Sequence, residues 1–446
     1  MNLLRSRKGR LAAFSGLYLS EGLPQGFAGV ALTLEFKRMG MDAAAIGAFA
    51  GTILLPWSWK FLVGPLVDNL KLRRFGARKQ WIVFAQVGML AALCTALLCM
   101  PQFAAGGVVG LGLFTGLMIL HNVFAATQDV AIDALACSIL KKDERGLANG
   151  IMFGSAQAGQ AIGGSGVLAL KEWTGSFGIA SLLVPLLLTC ILIGVLTLIR
   201  EKPEEEPDEF GPNETALSRA RQQVVTYLII AGKTIFGSSR GILGFLLALL
   251  PMGGMALSMV VSTIITPSLG MQDGEIAKLN LVCTAIWVPA CLSGGWLSDK
   301  FGRRLTLSLS CALSVLPGLW IGWQLKQAGW DHPPDAIDGV WPREEALIRL
   351  WWIAALIFSV FHGLLYGIKT AFFMDIINPR IAGTHFTALM AMSNLVITYT
   401  YIWQGQALST EAWNWTLWQI FIADSVFGLV FLLILPFVKP QQIHLE

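Results

Sequence analysis

Several ionisable and amide side chains lie deep inside otherwise apolar stretches of this sequence. They are Glu21, Lys60, His121, Gln128, Asp129 and Asp133 in the first half, and Lys369 and Asn394 in the second. A charge in such a setting costs about 2.5–3.5 kcal/mol on insertion scales, so it persists facing a partner or a watery cavity. Asp129 and Asp133 are four residues apart and share one helical face. His121 and Gln128 are seven apart and fall nearly in line along the same helix. A carboxylate in a cavity can bind and release a proton near neutral pH, which makes Asp129 the candidate proton-coupling group. Lys60 suits either an anion contact or a pairing with a carboxylate of that helix; otherwise it snorkels to an interface. His121 could relay protons, although a lone helical histidine is more often structural. Glu21 adjoins Gly22 and Pro24, where an unwound helix would bare backbone groups to a substrate.

The elements that must position these groups follow from composition. Of 446 residues, 55% are hydrophobic and 13% charged, with a mean hydropathy of +0.63, against roughly 25% charged in a soluble domain. Apolar runs near 20 residues recur along the chain, each enough to span a ~30 Å hydrocarbon core. They lack the alternation of a membrane barrel, so helices are the remaining way to satisfy the backbone in lipid. The expected spans are 11–36, 43–66, 79–100, 106–138, 146–170, 177–199, 242–268, 275–297, 305–325, 347–374, 382–408 and 414–438, the fourth and tenth longer than a bilayer requires. The seven cysteines all fall in apolar segments and read as small hydrophobes, without disulfide or metal spacing. The basic start, Met1 to Arg10, has no small-residue cleavage site after it and reads as the lead into an uncleaved first span.

Charge gives the orientation. Segments assigned to the cytoplasm hold 23 of the Lys and Arg residues, and the opposite side 7. By the positive-inside rule both termini are cytoplasmic and the number of spans is even. The longest polar break, 201–240, opens with an acidic, Pro-rich run from Glu201 to Pro207 that reads as a flexible linker. Its later part, Ala216 to Phe236, is amphipathic and suits the inner leaflet, or an ordinary loop. The break leaves an N-terminal half at 1–200 and a C-terminal half at 241–446. Gly64-Pro65-Leu66-Val67-Asp68, followed by basic residues to Lys79, is echoed 231 residues later by Gly295-Trp296-Leu297-Ser298-Asp299-Lys300-Phe301-Gly302-Arg303-Arg304. A second echo pairs Asp143-Glu144-Arg145-Gly146 with Asn378-Pro379-Arg380. Two echoes at nearly one offset indicate duplicated six-helix units, with the substrate path between them near mid-membrane.

The stretch Gly295–Arg304 resembles the loop signature of the major facilitator superfamily. Leu55-Pro56-Trp57-Ser58-Trp59-Lys60-Phe61-Leu62 running to Asp68, Ala126-Thr127-Gln128-Asp129-Val130-Ala131-Ile132-Asp133-Ala134, and Ser20-Glu21-Gly22-Leu23-Pro24 narrow this. Together they resemble the AmpG-type muropeptide permeases and the related acetyl-CoA transporters and siderophore importers, over about residues 15–160. The resemblance implies an all-α membrane protein of twelve helices in two pseudo-symmetric halves. It implies proton-coupled import of anhydromuropeptides, or of iron chelates or an acyl donor, by alternating access at the bacterial inner membrane. It also implies a small-molecule substrate and protons as partners, a monomer in the lipid bilayer, and no cofactor, metal or nucleic acid.

Asp68, Asp133, Arg145, Asp299, Arg303, Arg304, Asp375 and Arg380 are the expected gate residues. A shift of about 235 places Lys369 opposite Ala134, which suggests a Lys369–Asp133 pair closing a cytoplasmic gate. Asn394, Gln404 and Gln406 could hydrogen-bond a sugar or peptide, or join helices. Trp330, Trp341, Trp351, Trp352, Trp413, Trp415 and Trp418 read as anchors at the outer interface. No phosphate-binding G-x-x-x-x-G-K-[ST] run supports direct ATP use, and no H-E-x-x-H or G-x-S-x-G motif supports an intramembrane enzyme. A non-transporting assembly factor or sensor is the alternative of another class.

Overall fold

The computed structural model describes all residues except 1, 70–75, 105–107, 142–143, 202–215, 238, 335, 338–339, 377–381 and 439–446. The described residues are helical almost throughout, and their β content is one isolated bridge between Ile337 and Val340. Span α1 is Arg7–Gly26, continued by a π-helical Phe27–Leu32 and by Thr33–Arg38. Span α2 is broken into Ala43–Thr52, Leu55–Ser58, Lys60–Leu62 and Gly64–Asn69. Then come α3 (Lys79–Ala104), α4 (Val108–Ile139), α5 (Arg145–Ala161 with Ile162–Gly166 and Val167–Thr174) and α6 (Phe177–Ser181 with Leu183–Leu198). A linker helix, Ala216–Phe236, leads into α7, which is also broken (Ser239–Ala248 and Val260–Ser268). The chain ends with α8 (Asp273–Phe301), α9 (Arg303–Gln327), α10 (Glu345–Ile376), α11 (Ala382–Leu408) and α12 (Leu417–Ile434).

Local chemistry sets many of the ends. Ser6 accepts a hydrogen bond from the Gly9 N–H at the start of α1, and Asp42 caps α2 through the Ala44 N–H. Reciprocal capping boxes, Gln272 with Glu275 and Thr416 with Gln419, open α8 and α12. Gly302, at φ +89°, makes the sharp break between α8 and α9 that a residue with a Cβ adopts poorly.

Seven helices among the described residues are long and apolar enough by themselves to cross a membrane: α3, α4, α6, α8, α9, α10 and α12. The other five expected spans are present as α1, α2, α5, α7 and α11. Four of these, α1, α2, α5 and α7, are interrupted, and α11 is continuous but less apolar than the seven. The fourth and tenth, at 32 residues each, are longer than a bilayer needs, as expected.

The chain forms two compact units. One is Met1–Gly29 with Leu55–Ile230, and the other is Val30–Leu54 with Ala231–Glu446. The first unit has a core of Phe14, Leu17, Ile132, Leu135 and Met152. In it α1 lies against α5 with glycine on both sides of the seam. A Cβ at Gly22 would run into the Ala156 carbonyl, and one at Gly159 would sit 2.5 Å from the Leu19 carbonyl oxygen.

The second unit packs Leu307, Phe372, Phe373, Leu389 and Phe431 together. It also takes in the end of α1 and the start of α2, although chain order assigns them to the first half. The physical reason is close packing of helix backbones. A Cβ at Gly51 would meet the Thr398 carbonyl oxygen at 2.6 Å, and one at Gly405 the Ala43 carbonyl oxygen at 2.6 Å. Arg38 adds an ion pair with Asp273 at 2.7 Å.

Candidate functional site

In the first unit, α1, the broken α2 and α4 converge on the charged groups that sequence spacing singled out. After Thr52 the α2 helix turns at Ile53–Leu54, restarts at Leu55–Ser58, and passes through a 3-10 turn at Lys60–Leu62. That irregular stretch delivers the Lys60 ammonium to Asp129 on α4, Nζ to Oδ2 2.6 Å. The side chains are 19% and 6% exposed, so this is a buried pair rather than a surface one. Lys60 also lies 5.6 Å over the Trp57 ring. Trp57 is fixed by donating its indole N–H to Asn122 Oδ1 at 2.9 Å.

Glu21, on α1, is buried beside this pair. Gln25 Nε2 reaches its Oε1 at a long 3.5 Å, while among the described residues no N–H or O–H donor meets Oε2. The charges of Asp129, Lys60 and Asp133 all act on Glu21. Asp133, one turn along α4, accepts a hydrogen bond from the Tyr18 hydroxyl at 2.6 Å. The cluster thus holds three acids, Glu21, Asp129 and Asp133, around one base, Lys60. Such a count leaves room for a proton among them.

The remaining sequence candidates are distributed more widely. Gln128 is fully buried and donates to Ser20 Oγ at 3.0 Å, and Ser20 also receives Gln86 at 3.3 Å, which ties α1, α3 and α4 together. His121 Nδ1 bonds the Met89 carbonyl at 2.9 Å, and its Nε2 is buried without a partner, so it fastens α4 to α3. Asn394 is half-buried on α11. The unwinding expected at Gly22–Pro24 does not occur: Pro24 is accommodated inside α1, and the irregularity falls downstream in the π segment, where the Phe27 N–H is shared between the Leu23 and Pro24 carbonyls. Trp351 is fully buried and Trp341 nearly so, which corrects their reading as interfacial anchors.

Among the expected gate residues, the second unit brings Asp299, Arg303 and Asp375 together. Arg303 reaches Asp375 Oδ1 at 2.9 Å, Asp299 Oδ1 at 3.1 Å and the Ala371 carbonyl at 2.5 Å, joining α8, α9 and α10. Arg304 donates to the Val438 carbonyl. Asp133 accepts from the Tyr18 hydroxyl in the acid cluster. The side chains of Asp68 and Arg145, and all of Arg380, lie outside the described residues.

Lys369, on α10, lies 4.8 Å over the Tyr366 ring, and among the described residues of its own unit no carboxylate pairs with it. A cation–π contact supplies about 0.5–2 kcal/mol, less than the ~2.5–3.5 kcal/mol that placing the charge there costs.

Sequence reading passed over three groups. Arg10 clasps Glu144 with two hydrogen bonds, of 2.9 and 2.5 Å, and donates a third to the Leu4 carbonyl. This clasp holds the Glu144 carboxyl below its usual range. Tyr18 was unremarked because a tyrosine in an apolar run carries no signal of its own. Asp424, on α12, is buried and accepts from the Met255 N–H at 2.8 Å, the Ala256 N–H at 3.1 Å and Gln404 Nε2 at 3.0 Å. These amides belong to the break in α7, so Asp424 caps the broken span. An aspartate inside the last span was the available signal. Among the described residues no group of His, Cys, Asp and Glu is placed to hold a metal ion.

Comparison with known proteins gives this geometry a context. The family model of the Major Facilitator Superfamily matches residues 14–401. The chain is 26% identical over 429 residues to the anhydromuropeptide permease of Escherichia coli (strain K12), covering 94% of this chain and 78% of that protein. It is 23% identical over 438 residues to the putative transporter AmpG 4 of Rickettsia conorii, covering 93% and 94%. The inward-open xylose transporter XylE from E. coli aligns with a TM-score of 0.66 at 11% identity, covering 98% of both chains. A peptide transporter POT aligns with a TM-score of 0.66 at 14% identity, covering 97% of this chain and 95% of that one. At these identities the solved structures show the fold.

Proposed function

Because this chain belongs to the major facilitator superfamily and is a multi-pass membrane transporter, we propose that it is a proton-coupled symporter carrying anhydromuropeptides inward across a bacterial inner membrane. In this reading it acts as a monomer with both termini in the cytoplasm. The similarity to the E. coli anhydromuropeptide permease along nearly the whole chain supports the substrate. The 23-to-7 bias of basic residues supports the orientation.

The observation that carries the coupling is the Lys60–Asp129 pair with Glu21 buried beside it. A proton arriving on Asp129 removes the negative charge that holds Lys60. The irregular α2 stretch is then released from α4, and the break at Ile53–Leu54 gives it a hinge. Glu21, with an oxygen that no donor among the described residues meets, is placed to exchange that proton with Asp129. Return of the proton to the other side restores the pair. In this cycle each passage of the pair between bound and released states accompanies one proton, which couples the gradient to the motion of α2.

The test is uptake of labelled N-acetylglucosaminyl-anhydromuramyl peptide into proteoliposomes, with a proton gradient imposed and with it collapsed. Gradient-dependent uptake that Asp129→Asn abolishes is the expected result. Absence of uptake by folded protein in both conditions would remove the muropeptide substrate, and siderophores and coenzyme A thioesters would be assayed next. Uptake indifferent to the gradient would remove the proton.

A further inference from the structure

Among the described residues of the second unit, one lysine meets an aromatic ring and no carboxylate. Lys369 ends a ladder of aromatic side chains that neither the gate nor the acid cluster uses. Its Nζ lies 4.8 Å from the Tyr366 ring. Trp287, from α8, approaches Tyr366 with ring centroids 5.2 Å apart. The Trp287 indole N–H donates to His362 Nδ1 at 3.1 Å, and His362 stacks on Phe358 at 4.9 Å. Phe358, His362, Tyr366 and Lys369 recur at one-turn intervals and so share a face of α10. At ~1.5 Å per residue that face runs roughly 16 Å.

The crossing of α8 and α10 builds the ladder. A Cβ at Gly363 would lie 2.6 Å from the Trp287 carbonyl oxygen, and one at Gly367 would collide with the Cys291 carbonyl. With glycine at both positions, α8 settles far enough onto α10 for the indole to join the rings. Because Trp287 donates to Nδ1, His362 carries its own proton on Nε2 and presents it as a donor.

Resting on the muropeptide reading, we propose that this ladder is an acidic-glycan subsite, in which Trp287 and Tyr366 hold pyranose rings and Lys369 binds a carboxylate of the same ligand. The contrast between the two buried lysines decides which one reads the anion. Lys60 is already neutralised by Asp129 at 2.6 Å. Among the described residues of its unit Lys369 meets the Tyr366 ring and no carboxylate, and a ring's quadrupole attracts a cation less than a carboxylate does. Packing alone would be served as well by an apolar side chain at the end of an aromatic row. The ligand is therefore a glycopeptide or sugar acid that carries a free carboxylate beside its pyranose rings.

The probe is radiolabelled N-acetylglucosaminyl-anhydromuramyl peptide, compared with the same compound methyl-esterified at its peptide carboxylates, in equilibrium binding to the purified full-length protein. Wild-type protein is expected to prefer the acid by about ten-fold or more, the value of one hydrogen bond between charged groups. Lys369→Gln, or Lys369→Met if the glutamine variant does not fold, is expected to lose that preference, and Lys369→Arg to keep most of it. Trp287→Ala is expected to weaken acid and ester alike. Equal binding of acid and ester by the wild type, binding of neither, or a preference surviving in Lys369→Gln would overturn the proposal. So would a preference left intact in Lys369→Gln and Asp133→Asn while both lose uptake, which would make Lys369 the partner of Asp133. Proteoliposome uptake of the anhydromuropeptide by the same preparation reports separately on the transport reading. Acid preference without uptake would retire that reading and leave the subsite.

Discussion

Removing one member of the Lys60–Asp129 pair should cost far more than removing both. At the 2.6 Å separation, two unit charges attract by on the order of 6 kcal/mol at an effective dielectric of about 20. Desolvation of each ion takes back several kcal/mol, so the pair as a whole contributes little net stability. The asymmetry appears when one partner goes. Asp129→Asn leaves the Lys60 ammonium buried with Glu21 and Asp133 nearby but without its 2.6 Å contact. Breaking such a pair from one side costs about 3–5 kcal/mol. Lys60→Met leaves three acids with no cation and should cost a similar amount. The double variant Lys60→Met/Asp129→Asn removes both charges and should return to within about 1–2 kcal/mol of wild type, a coupling of at least ~4 kcal/mol. Reversible unfolding of the purified protein in mixed micelles, run on all four species, measures this cycle. Single losses below about 1 kcal/mol that simply add in the double variant would show that water already screens the pair. The reasoning that Asp129 protonation releases α2 would then fail with it.

Two further outcomes follow from groups the sequence did not flag. The Arg10 clasp holds the Glu144 carboxyl below the usual glutamate range, so its stabilising contribution is full above that range and is lost as pH falls through the lower folded value. Acid unfolding followed by intrinsic fluorescence should therefore show a step below about pH 4.5 that Glu144→Gln removes, with the two proteins keeping a constant difference between pH 6 and 8. At the other end of the chain, Asp424→Ala strands the Met255 and Ala256 amides and Gln404 Nε2, at about 1–3 kcal/mol for each orphaned donor. Hydrogen exchange should quicken at Met255 and Ala256 while the α9–α10 core stays protected, and unchanged exchange there would deny Asp424 its capping role.

How much of this was legible in the sequence depends on the kind of signal each feature leaves. Continuous apolar runs announced α3, α4, α6, α8, α9, α10 and α12, because hydrophobicity summed over a bilayer's width is insensitive to detail. The same measure located α2 and α7 but was blind to their breaks. A break is a matter of which carbonyls and amides find partners, and those partners come from distant parts of the chain: Asp424, Ser314 and Tyr399 hold the α7 break through Met255, Gly254 and Leu249. Spacing put Asp129 and Asp133 on one face of α4, and the motif around Lys60 marked it as chemical. That Lys60 and Asp129 meet, 69 residues apart, required the 3-10 turn at Lys60–Leu62, which no periodicity encodes.

The assignment of Val30–Leu54 to the second unit has the same origin and leads further. Duplication in sequence places α1 and α2 in the first half, and their inner portions, with Glu21 and Lys60, do pack there. The end of α1 and the start of α2 belong instead to the second unit, where Gly47 and Gly51 of α2 lie so close to α11 that a single added methyl would meet backbone. Both spans therefore change allegiance partway along, and in each the change coincides with an irregularity: the π segment from Phe27 in α1 and the turn at Ile53–Leu54 in α2. A continuous α-helix resists bending within a turn, whereas a π segment or a broken turn lets the two ends of a span obey different neighbours. The proposed coupling cycle requires irregular backbone near Lys60, and Lys60 lies seven residues beyond Ile53. Straightening α2 by replacing Pro56 with alanine should thus stabilise the helix by its own propensity while slowing transport. A variant both more stable and equally fast would separate the break from the mechanism.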